Sequence, residues 1–112
     1  MSCFSERDLQ HLNAFPQTKK AEVLETIMAR PATTQRTCSS HTEYDFTLMK
    51  LRKAGYGLID FQPMETAFTS VWYRKSSRLL GLTKSETVVM LVWESINQNI
   101  SDNTTLLSVW EL

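Results

Sequence analysis

The hydrophobic pattern changes period along the chain. Between Thr42 and Lys53, Tyr44, Leu48 and Leu51 recur at i, i+4 and i+7, which predicts one apolar face of a helix. Ser40-His-Thr-Glu43 ahead of it fits a capping box, and Ala54-Gly55-Tyr56-Gly57 supplies the glycine that closes a helix. Leu58 to Phe61 and Ala67 to Tyr73 are then rich in β-branched and aromatic residues, with a proline in the intervening Gln62 to Thr66 turn. This order predicts a helix running straight into a β-hairpin.

Two helices are expected before it. Ser5 caps the first, which runs to about Ala14 and stops at Pro16, with Leu9, Leu12 and Phe15 as a short apolar stripe. His11 within it reads as a surface or packed residue, because no carboxylate or cysteine cluster surrounds it. The second, Thr18 to Ala29, turns Val23, Leu24, Ile27 and Met28 one way and Lys19, Lys20, Glu22 and Glu25 the other. Arg30-Pro31 ends it. The polar stretch Ala32 to Ser40 reads either as a short helix over Thr33 to Cys38 or as a loop.

After the hairpin, Thr83-Lys-Ser-Glu86 forms a second capping box, predicting a helix from Ser85 to about Asn97. Its run Val88-Val-Met-Leu-Val-Trp93 is apolar nearly all round, so a homodimer is the expected means of covering its second side. Residues Asn97 to Asn103 read as a polar linker. The apolar end, with Leu106, Leu107, Val109, Trp110 and Leu112, is expected to dock on its own domain or on a protein partner.

Composition narrows the class. One domain of 112 residues with 42% apolar content is globular, and no apolar run approaches the roughly 18 residues needed to cross a bilayer. The N-terminus carries early acidic residues and no apolar h-region, so a cytoplasmic setting is expected. Cys3 and Cys38 form neither a disulfide framework nor a metal-like spacing. The net charge is zero, but unevenly spread. From Phe46 to Ser85 there are seven basic residues against Asp60 and Glu65, whereas Glu86, Glu94, Asp102 and Glu111 are the charges that follow. With three glycines there is no phosphate loop, and no nucleophile or acid pair stands out, so no enzyme activity, cofactor or metal is expected.

Lys20-Ala-Glu-Val-Leu-Glu-Thr-Ile-Met28, a short polar second element, then Leu48-Met-Lys-Leu-Arg-Lys-Ala-Gly-Tyr-Gly-Leu-Ile59 and the hairpin resemble a winged helix-turn-helix domain over residues 18–75. The resemblance implies an α+β, mostly helical single domain with one β-hairpin as the wing, followed by a C-terminal dimerisation helix and tail over 85–112. It also implies a cytoplasmic DNA-binding transcriptional regulator of bacterial or mobile-element type, with helix Thr42–Lys53 in the major groove of double-stranded DNA. Thr42 and Met49 would then face base edges, and Lys50, Arg52, Lys53, Arg74 and Lys75 phosphates. Arg78-Leu-Leu-Gly-Leu-Thr-Lys-Ser-Glu-Thr-Val-Val-Met90 more weakly resembles the corner of ribbon-helix-helix repressors, which would make Gly57 to Gln62 a base-reading strand. A third reading is a small non-enzymatic inhibitor or adaptor, favoured by zero net charge and by Phe46 and Trp110 as surface aromatics. Phe46 on the outward side of the central helix also points to a buried contact there.

Overall fold

A computed structural model describes residues 4–38, 41–78, 83–95 and 103–112. In chain order the described elements are α1 (Glu6–Ala14), α2 (Gln17–Met28), β1 (Thr34–Cys38), α3 (His41–Lys53), β2 (Gly57–Pro63), β3 (Ala67–Arg78), β4 (Thr83–Ser95) and β5 (Asn103–Glu111). The strands form one antiparallel sheet in the order β1-β5-β4-β3-β2.

Local signals place the helices. Ser5 caps α1 by accepting from the Asp8 amide at 3.2 Å, and the Asp8 carboxylate accepts from the Ser5 amide at 3.0 Å, a reciprocal capping box. Pro16 starts α2, where its missing N–H costs nothing. Gly55 closes α3 at φ +89°, the left-handed region that favours glycine. The Ser40 end of the expected capping box lies outside the described residues.

The mostly helical winged-helix architecture is not observed. Strands outweigh helices, and the expected single hairpin, β2–β3, continues through β4 and β5 into a five-stranded sheet. The expected dimerisation helix from Ser85 is strand β4. Its all-round apolar character belongs to a central strand covered on both faces: Val89 and Leu91 join the cluster beneath α3, while Val88 joins the one beneath α2. A continuous apolar run is equally compatible with a buried helix or a buried strand, and pairing with β3 and β5 decides it here. Thr83-Lys-Ser-Glu86 therefore caps nothing, and the ribbon-helix-helix corner is absent because the residues of Arg78–Met90 that are described lie in β3 and β4. Residues 34–38, expected as a short helix or loop, form the edge strand β1 through bonding to β5. The C-terminal tail is β5, an inner strand. Trp110 is buried beneath α2 and donates to the Arg30 carbonyl at 3.0 Å, so it is not a surface aromatic.

Helices lie on both faces of the sheet. Tyr44, Leu48 and Leu51 of α3 pack with Leu58, Trp72, Val89 and Leu91 on one face, and Phe4 joins them. On the other face Val23 and Ile27 of α2 pack with Ile59, Val71, Tyr73, Val88 and Trp110. Polar ties hold α2 there: Lys20 pairs with Asp60 at 3.0 Å, Lys19 pairs with Glu86 at 2.8 Å, and the Tyr73 hydroxyl donates to Glu86. α1 lies against the edge strand β2, and covering an edge removes a template for aggregation. The helix-turn-helix corner would need a helix over Thr33 to Cys38 leading into α3; strand β1 stands there instead, and the sheet separates α2 from α3.

Candidate functional site

α3 is buried on one side only. At 100° per residue, Thr42, Phe46, Met49 and Lys53 fall opposite Tyr44, Leu48 and Leu51, as the periodicity predicts, and all four are exposed. Phe46 is 51% exposed and Met49 41% exposed, so two large apolar side chains one turn apart stand in water. Lys50 and Lys53, four residues beyond each, flank them, and the Lys50 ammonium lies 4.7 Å from the Phe46 ring centre, within cation–π range. Beside Phe46, a cavity of about 220 Å³ opens between α3 and β1, lined by Arg36, Cys38, Glu43 and Lys50 among others.

The seven residues expected to meet DNA do not form one surface. Thr42, Met49, Lys50 and Lys53 share the outward side of α3. Arg52 turns away from it and grips Asp8 of α1, its Nε and Nη2 donating to one carboxylate oxygen at 3.0 and 2.7 Å. Arg74 is half-buried; its Nη1 donates to the Ala54 carbonyl at 3.1 Å and its guanidinium lies 4.7 Å from the Tyr56 ring centre. Lys75 is exposed, but it succeeds Arg74 on a strand, and so points to the sheet face opposite α3. The expected continuous basic stripe from α3 to the base of the hairpin is thus broken by two internal contacts and a change of face.

A second constellation went unread in the sequence. A cavity of about 250 Å³ lies between α1 and the start of β2, lined by Arg7, Asp8, His11, Arg52, Tyr56 and Gly57 among others. The His11 Nδ1 donates to the Leu58 carbonyl at 2.8 Å; since a carbonyl only accepts, the proton sits on Nδ1 and Nε2 is left for other partners. The ring lies so close to Gly57 that a Cβ there would come within 2.2 Å of Cε1. The only sequence signal was the pairing of a lone histidine with a glycine 46 positions later, which no local pattern links.

Among the described residues no group of three or more His, Cys, Asp or Glu side chains is placed to hold a metal, and no helix is long and apolar enough to cross a membrane. No known protein family, curated protein or solved structure matches this chain.

Proposed function

We propose that this domain is a protein-interaction module of adaptor or inhibitor type that presents the outward side of α3 to an acidic, apolar segment of its partner. The observation that carries the reading is the exposed Phe46–Met49 pair bordered by Lys50 and Lys53. Aromatic and methionine side chains are the types enriched at the centres of protein interfaces, and a lysine rim selects acidic neighbours. Full burial of a large apolar side chain is worth about 1.5–3 kcal/mol, so the half of Phe46 still in water offers about 1 kcal/mol to a partner.

DNA binding by α3 remains the second reading, favoured by Lys50 and Lys53 on the same exposed side. Its basis is narrower than a winged helix, because Arg52 and Arg74 are engaged internally and Lys75 faces away.

Isotope-labelled protein titrated with three probes separates the readings. The probes are a helical peptide with leucines at i and i+4 flanked by glutamates, the same peptide with lysines, and a random-sequence DNA duplex. The expected result is saturable shifts at Phe46, Met49, Lys50 and Lys53 with the acidic peptide alone, weakened about fivefold by Phe46→Ser. Duplex binding that falls steeply with salt and is reduced by Lys53→Ala would transfer the assignment to DNA. Absence of shifts on α3 with every probe would reject both.

A further inference from the structure

We infer that the cleft between α1 and β2 is a binding site for a small oxyanion, the carboxylate or phosphate group of a compact molecule. Its volume of about 250 Å³ lies below the roughly 300–1,000 Å³ of pockets that take drug-sized ligands. The occupant is therefore small.

The charge balance of the walls favours an anion. Asp8 is only 6% exposed, and its carboxylate already accepts from Arg52 twice and from the Ser5 amide. Its charge is thus compensated within the protein. Arg7 is exposed and sits four residues before His11, on the same side of α1, so the two side chains reach the same space. A guanidinium offers paired donors that match the two oxygens of a carboxylate or phosphate.

The histidine is held in place for a partner. Its Nδ1–H is committed to the Leu58 carbonyl, its ring contacts Phe15 with centres 5.7 Å apart, and bare Gly57 lets the ring lie against the strand. Nε2 is the nitrogen left over: in the neutral ring it accepts from the O–H of a hydrogen phosphate, and in the imidazolium it donates to a bare oxyanion. Tyr56 supplies an aromatic wall steadied by Arg74. The site does not depend on the helix terminus, since Ser5 and Asp8 close the first turn of α1 on themselves.

The test follows the His11 imidazole and Arg7 guanidinium signals by NMR in the intact chain. Inorganic phosphate and acetate are titrated separately, with sodium chloride holding ionic strength constant. Saturable shifts at His11 and Arg7 are expected, with the better of the two anions defining the class of headgroup. Arg7→Gln and His11→Gln, at exposed positions, should each weaken binding about tenfold, the scale of one charge-assisted hydrogen bond, while leaving near-UV circular dichroism unchanged. Linear shifts no larger than those of Arg36 on β1, or saturable binding that Arg7→Gln leaves unchanged, would overturn the proposal.

Discussion

Gly57→Ala probes the contact on which the α1–β2 cleft is built. The added Cβ would lie 2.2 Å from Cε1 of His11, 2.4 Å from Nε2 and 2.6 Å from Nδ1. Carbon atoms in contact sit about 3.5–4.0 Å apart, so the ring must leave rather than adjust. It has somewhere to go, because His11 is exposed on α1. Leaving forfeits the hydrogen bond to the Leu58 carbonyl, worth about 1 kcal/mol, and the ring contact with Phe15, worth about 0.5–1.5 kcal/mol. Replacing glycine in a strand returns about 0.5–1 kcal/mol of backbone entropy. The net loss is about 1 kcal/mol, or about 4 °C in Tm for a domain of this size. Urea unfolding of the four proteins in the Gly57→Ala/His11→Ala cycle measures it. With His11 already truncated, Gly57→Ala should be neutral or stabilising, giving a coupling of about 1–2 kcal/mol. Equal losses in both backgrounds would show that His11 does not occupy the space over Gly57, and the cleft geometry would be refuted.

The Lys19–Glu86–Tyr73 cluster that ties α2 to the sheet sets a pH window. Hydrogen bonds from Lys19 and then Tyr73 hold the Glu86 carboxyl below its ordinary 4.5, so its contribution is present above that value and fades as pH falls through the lower folded one. The hydrogen bond to Glu86 raises Lys19 above 10.5, and burial first, then Glu86, pushes Tyr73 up to about 12; both contributions are present below the ordinary values and lost as pH rises through the folded ones. Urea midpoints should therefore fall on the acid side below 4.5 and on the alkaline side above 10, and Glu86→Gln should cost about 1 kcal/mol at neutral pH and blunt the acid limb. Deleting Leu106–Leu112 should unfold the domain rather than merely free a dimer contact, because β5 bonds to both β1 and β4; a cooperative thermal transition in the truncated chain would contradict the sheet order.

Much of the helical part is legible from the chain alone, because its causes are local. Ser5 and Pro16 bracket α1, the Tyr44–Leu48–Leu51 spacing sets the buried side of α3, and Gly55 ends it. The outward side of α3, with Thr42, Phe46, Met49 and Lys53, follows from the same 3.6-residue period. The β2–β3 hairpin is legible too, since a short turn joins two β-rich runs. Only tertiary structure decides the rest. Residues 83–95 satisfy a buried helix and a central strand equally well, and the choice falls to ladder partners on β3 and β5 and to the helices that cover both faces. Thr34 to Cys38 becomes a strand only by pairing with Thr105 to Val109, some seventy residues away. Arg52 and Arg74 read as free cations in the sequence because Asp8 and the Tyr56 ring reach them only after folding. The Gly57–His11 cleft has the same origin: a side chain's period along its own element is written locally, but its partner on another element is set by how the elements pack.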